Sequence, residues 1–176
     1  MFNRVHLEEL VPLVGRYRHV MPDLSDDELF VRITTDIGYW GNAVRMTSAK
    51  SDQGAAPVFS YECRWRTPCF GGKWALHGVE LPFVFNTPTY GAAWDGADSD
   101  ASRAAADPEG RRFTLGEEMF TAWTNFARTG DPSTETHPWP SYDTTSRPTM
   151  VFGAHTGVEN DVRSEVRPYV TAMTIE

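Results

Sequence analysis

Long apolar runs, cysteines and basic clusters are what this chain lacks. No stretch reaches the roughly 18 apolar residues of a transmembrane helix, so no membrane span is expected. Lysine and arginine number 16 against 24 aspartates and glutamates, a net charge of −8, and they form no run. The electrostatic footprint of a nucleic-acid binder is therefore missing, and no nucleic-acid partner is expected. Cys63 and Cys69 are the only cysteines. They supply too few ligands for a zinc site. They could close a small loop or stay as thiols. Thiols are the expectation, because Met1-Phe2-Asn3-Arg4-Val5-His6 has neither the apolar core nor the cleavage site of a secretory leader. No metal or cofactor is implied, and no internal repeat shows. The compartment stays open: cytoplasmic by default, secreted if an upstream segment carries a leader.

What is present suits a folded core. The 176 residues are 40% hydrophobic and 12% aromatic, within the range of one domain. Leu7, Leu10, Val11, Val14 and Tyr17 recur at helical spacing, with Pro12 expected to kink or divide the helix. Ser25 and Glu28 form a capping box ahead of Leu29, Phe30 and Ile33. Asp36 is placed to cap a further helix whose inner side is Ile37, Trp40, Val44 and Thr47. A loop at Ser51–Pro57 precedes a strand over Val58–Trp65, rich in aromatic and β-branched residues. Residues from Tyr90 to Arg112 suggest a surface loop or short helix.

Thr114 and Glu117 form a second capping box. It opens a helix with Leu115, Met119, Ala122, Trp123 and Phe126 on one face. Gly130 is expected at the left-handed position that ends it, and Pro132 blocks continuation. Thr149–Gly153 reads as a short strand, and the tail after His155 as irregular.

The chemistry concentrates at Trp74-Ala75-Leu76-His77-Gly78-Val79-Glu80-Leu81-Pro82-Phe83-Val84-Phe85. Gly78 leaves room for backbone or substrate to approach the imidazole closely, having no Cβ. A lone histidine is more often a structural hydrogen-bonder than a catalyst, so residue type alone does not assign His77. Nor do His77 and Glu80 make a metal site without a third ligand. The segment from His77 to Phe85, however, resembles the catalytic-histidine segment of the type-B carboxylesterases, the cholinesterase-like branch of the α/β-hydrolases. Trp123-Thr124-Asn125-Phe126-Ala127-Arg128-Thr129-Gly130-Asp131-Pro132 and Trp139-Pro140-Ser141-Tyr142-Asp143 are similar to two later motifs of that family, in the same order. The likeness runs from about Ser25 to Gly153.

The resemblance implies an α/β class. Residues 1–176 would form one partial domain, the C-terminal part of an α/β-hydrolase fold, with few strands and several flanking helices. It implies a serine esterase acting through an acyl-enzyme, with His77 as general base and Gly78 and Glu80 as supporting neighbours. The other parts of that machine are missing. A hydrolase of this fold carries its nucleophile in G-x-S-x-G, followed by an acid and then the histidine. None of the ten serines sits in that pattern, and no HGGG-type oxyanion segment occurs. The nucleophile and acid are therefore expected upstream of Met1, and the isolated chain is expected to be inactive and poorly soluble. Its implied partners are a carboxylic ester in the complete protein, and either the N-terminal part of the hydrolase or a second copy. A non-catalytic cholinesterase-like interaction module and a truncated remnant are the alternatives.

Overall fold

The computed structural model describes residues 7–66, 72, 74–90 and 100–173. Cys69, His6 and Trp94 lie outside the described residues, as does the part from 91 to 99 of the stretch Tyr90–Arg112 read as a loop or short helix. The chain divides into two compact units: Met1–Val58 with Asp143–Arg147 and Asp161–Glu176, and Phe59–Tyr142 with Pro148–Asn160. No helix of the described residues is long and apolar enough to cross a membrane.

The first unit is helical. Helix α1, Leu7–Val20, runs uninterrupted through Pro12, where a kink or break was expected. Proline withholds the N–H that the Glu8 carbonyl would accept. Both residues are exposed, so water can replace it. Helix α2, Asp26–Thr35, opens on the expected box: the Glu28 N–H donates to Ser25 Oγ, and the Ser25 N–H donates to Glu28 Oε2 at 3.0 Å. Asp36 does not cap a new helix. It begins a π-helical turn, Asp36–Trp40, that runs directly into α3, Gly41–Gln53. The wider turn adds a residue and rotates the inward stripe, which passes from Leu29, Ile33, Asp36 and Ile37 to Gly41 instead of Trp40. A Cβ at Gly41 would lie 2.6 Å from Val170 Cγ1, so a larger residue there would collide with the helix Arg167–Ala172.

Asp36 is fully buried. The Tyr17 hydroxyl donates to its Oδ2 at 2.6 Å, and Arg163 and Arg32 approach Oδ1 at 3.4 and 3.9 Å. The Arg163 guanidinium also lies over the Trp40 ring, 4.3 Å from its centroid. Burial first, and then the Asp36 charge, push the Tyr17 phenol well above its usual range, so it remains a donor. Around this group pack Leu13, Tyr17, Leu29, Ile33, Ile37, Val166, Val170 and Met173.

The second unit holds a three-stranded sheet in the order β1-β2-β3. Strand β1 is Ser60–Cys63, shorter than the expected Val58–Trp65, and β2 is Pro148–Phe152. They pair in parallel, with Tyr61 opposite Met150. Parallel strands need a long crossover. It contains α4, Leu81–Val84; α5, Asp100–Ala106; and α6, Arg111–Thr129. The tail expected to be irregular instead forms β3, Gly157–Asn160, antiparallel to β2, and in the first unit α7, Arg167–Ala172. Phe83, Leu115, Met119, Ala122, Trp139, Met150 and Phe152 make the core between the sheet and α6.

Helix α6 starts three residues before the expected capping box. Gly110 turns the chain at φ +68, and the Asp107 carboxylate accepts from the N–H groups of Arg111 and Arg112 at 2.8 and 2.9 Å. Asp107 thus takes the first free donors of the helix, and Thr114 falls inside it rather than at its start. The far end matches expectation: Gly130, at φ +79, donates its N–H to the Phe126 carbonyl.

Candidate functional site

The chain leaves the carboxyl end of β1 at Cys63 and reaches His77 ahead of α4. The Val79 N–H donates to the Leu76 carbonyl at 3.1 Å, so His77 and Gly78 are the middle residues of a tight turn. Gly78 stands at φ +77, where a turn of this type strongly favours glycine. His77 is exposed at the tip. The turn therefore sets His77 at the surface, and its neighbours Val79 and Phe83 anchor the segment.

Those neighbours are well buried. Val79 and Phe83 are each 4% exposed, and the Phe83 ring meets Trp65 edge-on at 5.5 Å. The Glu80 carbonyl accepts from the N–H groups of Phe83 and Val84, starting α4. After α4 the chain crosses α6 at Gly116, where a Cβ would come within 2.9 Å of Asn86 Oδ1. Glycine there lets the segment carrying His77 lie directly on the longest helix.

Glu80 is half-buried, and its charge is felt on β1. Burial first, then Glu80, raises the Tyr61 phenol above its ordinary value. Burial is also the largest cause at Cys63, whose thiol is pushed up to about 11, with the charges of Glu80 and Glu62 adding to it. Cys63 is a free, protonated thiol at neutral pH and no ready nucleophile. The charge of Glu80 thus keeps both groups of β1 in their protonated, neutral forms.

The other described histidines sit elsewhere. His19 is exposed in the last turn of α1, and His155 is exposed after β2. The Nδ1 of His137 is 3.1 Å from Thr136 Oγ1. Among the described residues no three His, Cys, Asp or Glu side chains converge as a metal site. Sequence reasoning overlooked one further polar group, the cluster of Arg111, Glu118 and Thr156. Arg111 donates to both Glu118 oxygens at 2.8 Å and to Thr156, while Thr156 donates to Glu118 at 2.6 Å. Arg111 also reaches the carbonyls of Gly153 and Ala154, fastening α6 to the β2–β3 turn. The Arg111–Glu118 spacing within α6 was a weak signal, and Thr156 gave none.

Comparison with known proteins gives a consistent result. The model of the carboxylesterase family matches residues 24–168. The para-nitrobenzyl esterase of Bacillus subtilis is 34% identical over 156 residues, which are 89% of this chain and 29% of that protein. Human carboxylesterase 3 is 37% identical over 96 residues. Those residues are 50% of this chain and 15% of the human protein. Among solved structures, a Geobacillus stearothermophilus carboxylesterase superposes with a TM-score of 0.71 at 29% identity. A thermophilic para-nitrobenzyl esterase gives 0.67 at 30%. These cover 96% and 95% of this chain, and 32% and 34% of those chains. The parallel strand pair, the crossover helices and the structural relatives define part of an α/β-hydrolase fold. The chain belongs to the carboxylesterase family. It spans about a third or less of the length of the relatives it matches.

Proposed function

We propose that this chain is the histidine-bearing part of a serine carboxylic-ester hydrolase, with His77 as its proton carrier. In that role the imidazole takes the proton of a serine hydroxyl as the oxygen attacks the ester carbonyl. It then gives that proton to the departing alcohol. The acyl-enzyme is hydrolysed in the same way, with water in place of serine. Gly78 keeps the approach to the ring open, and Glu80 opens the short helix that follows, its carbonyl accepting from Phe83 and Val84. Both are positioning residues. Residues 1–176 act as one partial domain, and the nucleophile, its oxyanion donors and the acid come from the part of the relatives that this chain does not span. The isolated chain is accordingly inactive.

The supporting observation is the exposed His77 in a glycine-dependent turn whose last residue, Val79, is buried, within the region matched by the family. The test is a chimera in which this chain replaces the matched region of the Bacillus subtilis para-nitrobenzyl esterase, assayed on p-nitrophenyl acetate. Hydrolysis is expected, and His77→Ala should lower kcat by about a million-fold, as loss of a triad histidine does in subtilisin. Turnover untouched by His77→Ala would remove the role given to it. A folded chimera that binds the ester without turnover would favour a non-catalytic interaction module.

A further inference from the structure

We infer that Asn86 is a positioning residue for His77, acting through its left-handed main chain, an inference that rests on the catalytic reading of His77 above. Among the described residues of the second unit, Asn86 is the one non-glycine residue at a left-handed φ, +51. Most side chains are strained there, and a residue held so persists only where the surrounding structure requires it. Asparagine bears that conformation better than most.

The end of α4 is what requires it. This helix is four residues long, Leu81–Val84, too short to persist without support at its ends. Beyond it the Thr87 N–H donates to the Pro82 carbonyl at 2.7 Å, and the Asn86 N–H to the Phe83 carbonyl at 3.0 Å. These two bonds make a Schellman cap with Asn86 at its left-handed position. The cap closes only while residue 86 keeps a positive φ. It also sends the chain across α6, with Pro88 buried and Asn86 Oδ1 lying over Gly116.

The main chain transmits the position of the cap to the turn that carries His77. The Phe85 N–H donates to the Leu81 carbonyl, and those of Phe83 and Val84 to the Glu80 carbonyl. The Leu81 N–H donates to the Gly78 carbonyl, and the Val79 N–H to the Leu76 carbonyl. These closures overlap, so every residue from Leu76 to Thr87 lies inside a hydrogen-bonded turn and no hinge separates Asn86 from His77. Two left-handed residues therefore bracket the segment, Gly78 in the turn and Asn86 at the cap. The buried Val79, Pro82 and Phe83 between them fix the side it turns to the core. Driving residue 86 out of the left-handed region would open the cap, loosen α4 from α6 and displace His77. A displacement of about 1 Å can lower a rate about a hundredfold.

The experiment uses the chimera described above, with kcat/KM measured on p-nitrophenyl acetate and on ethyl acetate. Both esters need the imidazole as base. The p-nitrophenolate leaves as a stable anion, whereas the ethyl alcohol must take the imidazolium proton as it departs. Valine avoids positive φ. Asn86→Val should lower kcat/KM on ethyl acetate by about a hundredfold, and on p-nitrophenyl acetate by much less. Asn86→Gly keeps the left-handed main chain and should match the parent on both esters. Asn86→Ala carries a smaller penalty and serves as the test if the valine variant does not fold. Equal losses on the two esters would overturn the inference, because an unfolded fraction lowers both alike. A loss in Asn86→Gly as large as in Asn86→Val would overturn it too, since the side chain and not the main chain would then matter. Asn86→Val matching the parent, in a chimera that His77→Ala inactivates, would overturn the inference and leave the catalytic reading standing. Turnover untouched by His77→Ala would remove both.

Discussion

Arg163→Met is the most demanding test of how the first unit holds together. Asp36 is fully buried, and Arg163 sits 3.4 Å from its Oδ1 with a side chain only 9% exposed. Removing the cation leaves a buried carboxylate with Tyr17 at 2.6 Å and Arg32 at 3.9 Å. Breaking one side of a buried pair costs about 3–5 kcal/mol, and the lost stacking on Trp40 adds to this. Against a total of about 5–15 kcal/mol for a typical protein, that is a large share. At about 2–4 °C per kcal/mol for a chain of this size, Tm should fall by roughly 6–20 °C. Urea unfolding followed by circular dichroism and tryptophan fluorescence measures the loss. Asp36→Asn should also destabilise, since it removes the buried carboxylate that faces the Arg163 charge. The double variant should recover much of the loss, because two charges leave the interior together. A double variant that loses the sum of the two singles would show the pair uncoupled and refute the reasoning.

Two further outcomes follow from groups with displaced proton affinities. Burial raises the Glu118 carboxyl, but the hydrogen bonds from Arg111 and Thr156 outweigh it and hold it below its ordinary 4.5. A carboxyl lowered on folding adds stability above its unfolded value and loses it as pH falls through the folded one. Thermal melts from pH 7 downward should therefore show a decline beginning near pH 4.5 that is shallower in Glu118→Gln; identical acid limbs would refute this. With Cys69→Ser to isolate it, Cys63 should react slowly with iodoacetamide at pH 8 in the folded chain and fast in urea. Equal rates would contradict a thiol pushed up to about 11.

Local sequence determined what local chemistry can specify. The Ser25–Glu28 box closes within one helical turn, and Gly130 ends α6 through the conformation that glycine tolerates best. The family likeness from Ser25 to Gly153 agrees with the match at residues 24–168. The strands at Ser60–Cys63 and Pro148–Phe152 were legible from their residue types, although nothing in them announced that they pair with each other. Of the site, the stretch carrying His77 could be read directly. Its exposure, and the reach of the Glu80 charge to Tyr61 and Cys63, could not.

Tertiary structure decided the rest. Asp36 looked like a cap because an aspartate before an apolar stripe usually is one. It became the centre of a buried cluster because Arg163, far along the chain, brings the compensating charge. Thr114 was passed over because the Asp107 carboxylate takes the first amides of α6. Strand β3 has too few apolar residues to declare itself, and it forms because β2 offers an edge and Arg64 offers Glu159 a partner. Hydrogen bonds and ion pairs between distant residues leave no periodic trace, so only the folded chain shows which polar groups meet.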